Sequence, residues 1–160
     1  MDNKEIIKKF WEALDKSPFV MIGLPAQNAH SEPMTAQFDD DIPNSLFFYA
    51  RKDNRLATGL VSHPEAMVQF SGKGHDFFAC ISGMLSVSAD RGLIDKFWSN
   101  AIESWFDGGK DDPNLTLLRF DMKNAEMWEA DLSVGNKLKM LFGGDINYGD
   151  PNKKHIETTM

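Results

Sequence analysis

The feature that most constrains the fold of this 160-residue chain is a series of short apolar segments separated by polar, turn-rich connections. Their β-branched and aromatic content, and the turn residues that bound them, are typical of strands. Because the strands follow one another too closely for a doubly wound α/β sheet, the pattern predicts a mainly β (α+β) protein. We expect a small antiparallel barrel of six to seven strands with helices packed outside it. The predicted strands are residues 19–24, 34–38, 45–50, 66–70, 77–89, 115–122 and 125–130.

Two details of these strands bear on how they pair. Gly83 lies inside the longest segment and predicts a bulge or bend there. Lys123 and Asn124 separate the last two segments and predict a two-residue turn between two strands.

Three stretches predict helices. Residues 3–16 carry an apolar stripe and end before Pro18, and residues 54–62 predict a short helix. Asp90 is the predicted N-cap of a late helix whose aromatic stripe is large for a surface helix, so we expect a second subunit to bury it. No linker divides residues 1–160, which are expected to form a single domain with a partly mobile tail at 143–160.

Composition excludes several classes of protein. The net charge of −7 argues against a general nucleic-acid binder, which needs a basic face. Cys80 is the only cysteine, so an intrachain disulfide is excluded, and its apolar neighbours predict a buried thiol. The apolar runs are too short to span a membrane and the N-terminus lacks a signal region, so we expect a cytoplasmic protein without a membrane partner.

The segment FFYARKDNRL, residues 47–56, is the strongest candidate for a site, because an apolar strand there ends in three cations and an amide. If a helix follows, its first N–H groups and its dipole favour an anion at this corner. The guanidinium groups of Arg51 and Arg55 can bind a phosphate in two-point contacts. The alternative is a solvated turn whose cations balance the acidic run at 39–41, and the residues alone leave both interpretations open.

The aromatic residues before this corner are also open to two interpretations. Side chains alternate between the faces of a strand, so Phe47 and Phe48 either fill the core and a neighbouring layer or help to hold a planar ligand along the strand. No metal site is predicted, since the four histidines have no metal-ligand spacing and neither HExxH nor paired CxxC occurs. No Ser-His-Asp arrangement has motif support, so catalytic residues stay unassigned.

Four segments taken together resemble a known family. They are SEPMTAQF at 31–38, SLFFYARKDNRLATGLVSHPEAMVQF at 45–70, ACISGMLSVSAD at 79–90 and FWSNAIESWFDGGKDDPNLTLLRFDMKNAEMWEAD at 97–131. In order and content they resemble the pyridoxamine 5′-phosphate oxidase-like flavin-binding split barrels, and most closely the general stress protein 26 branch.

This resemblance implies a homodimer with FMN, or alternatively FAD, in each subunit interface, and a nicotinamide electron donor. It implies that the corner holds the flavin phosphate, that the strand at 34–38 lies along the ring, and that the late helix and its following loop complete the site. The implied cofactor-binding residues are Met34, Thr35, Phe48, Tyr49, Ala50, Arg51, Asn54, Arg55, Trp105 and Lys110.

The sequence departs from the family in two places. Glu32 stands where relatives tend to have a basic residue, and an acid there is expected to weaken the binding of a phosphate or an anionic flavin. The tail at 143–160 lacks the substrate-binding Arg and His residues of true pyridoxamine phosphate oxidases, so that activity is not expected.

The expected function is a flavin-dependent oxidoreductase or redox-linked general stress protein of unknown substrate. The main alternative is a flavin carrier or sensor that binds FMN or FAD without turnover. A relative that uses another phosphorylated cofactor, such as a deazaflavin or haem, and an interaction protein with an empty barrel are the remaining alternatives.

Overall fold

A nearly closed antiparallel barrel of six strands forms the centre of the protein, in the order β2-β1-β4-β5-β6-β3, and a seventh strand pairs with β6. This computed structural model describes residues 3–130 and 155–160. The strands are β1 Phe19–Gly23, β2 Glu32–Thr35, β3 Ser45–Arg51, β4 Glu65–Ser71, β5 Phe77–Ser88, β6 Leu115–Glu129 and β7 His155–Thr159. The helices are α1 Asn3–Lys16, α2 Arg55–Gly59, α3 Arg91–Phe97 and α4 Asn100–Glu103, and two 3-10 turns lie at Pro25–Gln27 and Gly109–Asp111. The fold class predicted from the sequence is confirmed.

The barrel closes through a single bridge rather than a full ladder. Gln37 and Phe47 exchange two main-chain hydrogen bonds, both 2.8 Å long. Beyond this bridge β2 and β3 do not continue as a ladder, so the barrel is split along one side.

Two apolar clusters hold the structure together. The interior cluster fills the barrel and includes Phe10 of α1, whose ring packs edge-on against Phe70 at 5.8 Å. The second cluster lies between the outer face of β3 and β6 and the helices α3 and α4, and its fully buried residues include Phe47 and Leu117. Because β3 is covered on both faces, all six residues from Ser45 to Ala50 are buried.

The predicted turn at Lys123 and Asn124 is wrong, because residues 115–129 form one long strand. Ser82 pairs with Asn124 and Gly83 pairs with Met122, which leaves Lys123 as the extra residue of a bulge. A Cβ atom on Gly83 would overlap the main-chain oxygen of Asp121 and the ring of Phe120. Gly83 therefore allows the close approach that bends both strands, and the bulge predicted at this residue is confirmed.

The late helix is broken where the sequence predicted one continuous element. Trp98 takes an extended conformation, and the Ser99 hydroxyl then caps α4 by accepting a hydrogen bond from the Ile102 N–H at 3.4 Å. A serine that can cap a helix competes with helix continuation. Trp98 packs within the chain against Tyr49, with ring centroids 5.6 Å apart, whereas Trp105 is 51% exposed.

Three other boundaries differ from prediction. The second strand ends at Thr35 rather than at residue 38, and α2 covers 55–59 rather than 54–62. Residues 155–159 form β7, whereas their polar sequence predicts part of a mobile tail, and pairing with β6 is what makes them a strand. The rest of that tail, 143–154, lies outside the described residues. Within the described ranges, no helix has the length and apolar content to cross a membrane.

Candidate functional site

The gap between the facing edges of β2 and β3 is the candidate site. Main-chain polar groups in an antiparallel strand alternate between its two edges. Since Gln37 and Phe47 bond to each other across these edges, the main-chain groups of Thr35, Tyr49 and Arg51 point into the same gap farther along. No ladder joins the two strands there, so the gap exposes polar main-chain atoms to a bound molecule.

Asn54 forms the closed end of this gap where β3 passes into α2. Its Oδ1 accepts a hydrogen bond from the Leu56 N–H at 2.8 Å, which caps the helix. Its Nδ2 donates to Glu32 Oε1 at 2.5 Å. Because α2 has only five residues, its dipole adds little, and the preference of the corner for an anion depends on side chains.

Arg55 lies beside Asn54 and shares the same acidic partner. Its Nε is 2.7 Å from Glu32 Oε2, and its Nη1 donates to the carbonyl of His30 at 3.2 Å. The Arg55 side chain is 52% exposed, whereas that of Glu32 is only 14% exposed. The structure therefore brings Asn54, Arg55 and Glu32 together, with the carboxylate on the sheltered side.

Arg51 does not join this group. Its Nε pairs with Asp53 Oδ1 at 3.1 Å, and both side chains are more than half exposed. Hydrogen bonds from the main-chain N–H groups of Gly108 and Asn114 lower the pKa of Asp112, and the charge of Arg51 lowers that pKa slightly further. The guanidinium groups of Arg51 and Arg55 thus point to different acids, and a phosphate contact by Arg51 stays a prediction.

The side chains of Phe48, Tyr49 and Ala50 are buried. Phe48 and Ala50 belong to the interior cluster, while Phe47 and Tyr49 belong to the second cluster. The phenylalanines therefore fill the core and a neighbouring layer. The Phe48 ring is fully buried and does not face the gap, and the assignment of Phe48 to the cofactor site stays a prediction.

The hydroxyl of Tyr49 is also occupied. It donates a 2.6 Å hydrogen bond to the carbonyl of Ile94 in α3. Burial, with a smaller effect of Asp95, raises the pKa of Tyr49 to about 12. At Tyr49, only the main chain remains for a ligand in the gap. The main-chain groups of Ala50 face β6, where Ala50 pairs with Thr116, so a ligand contact at Ala50 stays a prediction.

Met34 and Thr35 lie on opposite faces of β2. Met34 pairs with Val20 and packs against the interior cluster, so its side chain points inward. Thr35 pairs with Phe19 on the outer face of the sheet and is half-buried. Of the two residues predicted to line the ring, only Thr35 presents its side chain to the outside.

Trp105 and Lys110 lie on the side of α3 and α4. Lys110 Nζ is 3.3 Å from Asp95 Oδ1, and its carbonyl accepts a 3.0 Å hydrogen bond from Arg91. Among the described residues, no hydrogen bond or ion pair joins Trp105 or Lys110 to Asn54, Arg55 or Glu32. Their predicted role within one subunit finds no support in these contacts.

The outer face of β1, next to this gap, is apolar and open. Phe19 and Met21 are 64% and 41% exposed, and Met21 pairs with the exposed Gln69 of β4. Large apolar side chains on an open sheet face are typical of an interaction surface.

One group of polar side chains could not be identified from the spacing of residues in the sequence. Glu126, His155 and Glu157 place ligand-type atoms within 4.8 Å of one another, and His155 Nε2 is 3.0 Å from Glu126 Oε1. The His155 ring also stacks on Trp128 at 5.2 Å. Pairing of β6 with β7 creates this group, so no linear motif could reveal it. Two of its three residues are exposed, and the contacts by themselves define a hydrogen bond between His155 and Glu126 rather than a metal site.

Cys80 lies on the strand next to this group. The thiol is half-buried rather than fully buried, and burial together with the charge of Glu126 raises its pKa. A raised pKa disfavours the thiolate, so the side chain is a poor nucleophile.

A protein-family model described as "Pyridoxamine 5'-phosphate oxidase like" matches residues 5–146. The match includes the whole barrel from β1 to β6 and the candidate site.

Three relatives illustrate the similarity. The general stress FMN/FAD binding protein from Xanthomonas citri is 41% identical, covers 82% of this chain and 93% of its own chain, and superposes with a TM-score of 0.76. A protein assigned as general stress protein 26 from Jannaschia sp. CCS1 is 28% identical, with coverage of 99% and 100% and a TM-score of 0.79. General stress protein 26 from Bacillus subtilis (strain 168) is 26% identical over 134 residues, which is 81% of this chain and 93% of that protein.

Proposed function

The chain belongs to the pyridoxamine 5′-phosphate oxidase like family, and from that premise we propose that it binds a flavin in the gap between β2 and β3. The flavin phosphate lies at the corner formed by Asn54 and Arg55. The isoalloxazine ring lies along the open main chain of Thr35 and Tyr49.

The main observation behind this proposal is the split in the barrel. One end of the split lies at the Arg55 guanidinium and the Asn54 amide. The Arg55 guanidinium and the Asn54 amide are the donors that a phosphate needs, and charge-assisted hydrogen bonds are the strong ones in proteins. Because no ladder joins β2 and β3, the main-chain N–H and C=O groups of Thr35 and Tyr49 can bond to the polar edge of a planar ring. The residues present therefore fit a flavin.

The relatives support the same ligand class. The Xanthomonas citri protein is named as binding FMN or FAD, and the family match at residues 5–146 includes the corner segment at 45–70. We propose FMN as the preferred form, since Asn54 and Arg55 provide one phosphate position. FAD is the alternative.

We propose further that the site is completed in a homodimer. The open face with Phe19 and Met21 adjoins the gap, and its apolar side chains need a cover that the described residues do not supply. Trp105 is half exposed on the other side of the barrel, so it and Lys110 are available to reach the gap of a partner subunit. The open geometry of the gap in one subunit agrees with a site shared by two.

A bound flavin would supply electron-transfer chemistry, and the role of this chain is to bind and orient it. We propose a flavin-dependent oxidoreductase or redox-linked stress protein that accepts electrons from a nicotinamide donor. The second candidate is a flavin carrier or sensor, and the name of the Xanthomonas citri relative favours it by stating binding alone.

The first experiment identifies the chromophore. The purified protein is heated, and the released molecule is separated by chromatography beside FMN, FAD and riboflavin standards. An absorption band near that of free flavin, with a matching retention time, supports the proposal. A protein that neither retains nor rebinds any of the three flavins would overturn it.

The second experiment tests the corner. Arg55→Ala should weaken FMN binding by about tenfold, because the phosphate loses a charge-assisted donor and the Glu32 carboxylate loses the cation that offsets its charge. Arg119→Ala is the matched control, because Arg119 is also ion-paired but to Asp121 of its own strand β6. Equal FMN affinity in both variants would remove the corner from the site.

A third experiment separates the two candidate functions. Anaerobic addition of NADH or NADPH should bleach the bound flavin if the protein is an oxidoreductase, and an electron acceptor should then restore the colour over repeated cycles. A carrier or sensor would bind the flavin with no catalysed change.

A further inference from the structure

Glu32 already occupies the donors that a flavin phosphate would use. Its two carboxylate oxygens lie 2.5 Å from Asn54 Nδ2 and 2.7 Å from Arg55 Nε. With 14% of its side chain exposed, the carboxylate is sheltered at the inner side of the corner. The corner thus contains an anion of its own.

The position of Glu32 is set by the sheet. It pairs with Ile22 of β1, and the ladder continues through Met34 and Thr35. The carboxylate therefore cannot leave the corner without a change in its own rotamer or in β2. A phosphate arriving at this corner therefore meets a negative charge that already contacts both donors.

Building on the proposed function, we propose that Glu32 sets the phosphate selectivity of the flavin site. The protein recognises the ring and ribityl chain and gains little from the 5′-phosphate. Like charges on shared donors repel most where the site is partly buried, so the carboxylate offsets the attraction of Arg55 for phosphate. Arg55 has five N–H donors, and those that face solvent keep some affinity for phosphate.

The test compares FMN with riboflavin, which differ only in the phosphate. Each ligand is titrated into the apoprotein, and quenching of flavin fluorescence gives its Kd. In the wild-type protein the two Kd values should agree within about tenfold, a difference of about 1.4 kcal/mol. Glu32→Gln should lower the Kd of FMN by about tenfold and leave that of riboflavin unchanged.

Two further variants define the origin of the effect. In the double variant Glu32→Gln/Arg55→Ala the gain for FMN should disappear, because the carboxylate acts by competing for Arg55. Asp53→Asn is the matched control, since it neutralises a carboxylate two residues from Arg51 in the same corner segment but outside the Glu32 contacts. It should leave the ratio of the two Kd values unchanged.

The outcomes separate this inference from the proposed function. If both flavins bind and Glu32→Gln leaves the FMN-to-riboflavin ratio unchanged, the selectivity role is overturned while flavin binding stands. A wild-type preference for FMN of more than about tenfold would overturn it as well, and this measurement uses the wild-type protein alone. If neither flavin binds to wild type or variant, the proposed function itself is wrong, and the inference with it.

Discussion

The two halves of the barrel differ in what covers their outer faces. Over β3 and the first half of β6, the helices α3 and α4 bury Phe47 and Leu117 completely. On β1, in the other half, Phe19 and Met21 remain 64% and 41% exposed. The bulge at Gly83 and Lys123 marks the boundary, because β5 and β6 pass from one half to the other there.

The difference shows that the apolar pattern of a strand indicates how many of its faces are covered. β3 is a continuous apolar run because both of its faces are covered, whereas β4 alternates between buried and exposed residues because only its inner face is covered. β1 is apolar on both faces, although within residues 3–130 and 155–160 only one of them is covered. A strand of that kind predicts a cover from outside these residues, and a second subunit as that cover is the basis for the proposed dimer.

The largest expected effect separates the two faces directly. Phe47→Ala should reduce the free energy of unfolding by about 3–5 kcal/mol, because it leaves a cavity against Phe97, whose ring is 5.1 Å away. Phe19→Ala should reduce the free energy of unfolding much less. Urea denaturation at concentrations where the protein is monomeric measures both variants. Similar losses for both would show that the β1 face is covered within one chain.

The next largest effect is expected at Gly83, in the bulge between the two halves. Gly83→Ala should destabilise the fold by about 1–3 kcal/mol, because its methyl group overlaps the main chain of Asp121. Gly72→Ala is the control, since a Cβ there meets only ordinary contacts at 3.4 Å and beyond, and its effect should stay within about 1 kcal/mol. A neutral Gly83→Ala would mean that the two halves are not locked together by this close approach.

The open face should matter for association more than for folding. Met21→Glu should raise the dimer dissociation constant by about tenfold or more, which corresponds to about 1.4 kcal/mol, with little change in monomer stability. Analytical ultracentrifugation over a dilution series measures this constant. Val61→Glu, at a residue that is 80% exposed outside this face, is the control, and equal effects would argue against β1 as the contact.

The smallest expected effect lies on the covered face. Tyr49→Phe removes the hydrogen bond to the Ile94 carbonyl and should reduce the free energy of unfolding by about 1 kcal/mol. The folded-state pKa of Tyr49 is raised to about 12, so the protein binds this proton more tightly when folded. The stabilisation is complete below about pH 10, the ordinary tyrosine pKa, and is lost as the pH rises toward 12.

Urea denaturation of both proteins between pH 8 and 12 tests this dependence. The difference between wild type and Tyr49→Phe should narrow above about pH 10. A difference that stays constant to pH 12 would show that the phenol is not sheltered by α3.

Most strands were predictable because their limits are set locally. The strands at 19–24, 45–50, 66–70 and 77–89 agree with the structure within one residue, since apolar content and neighbouring Gly, Pro or charged residues define them. The turn at Lys123 was wrong because a two-residue polar break is compatible with a turn and with a bulge. The choice depended on Gly83, which is distant in sequence and close only after pairing.

The sequence by itself determined the class of fold, the family and the location of the cationic corner, because each depends on residues that are neighbours along the chain. Only the tertiary structure decided what the corner contacts. Glu32 is 22 residues from Asn54 and reaches it through the pairing of β1 with β2, while Arg51, only four residues from Arg55, turns to another acid. Electrostatic interactions depend on separation in space and on burial, and neither is set by distance along a chain.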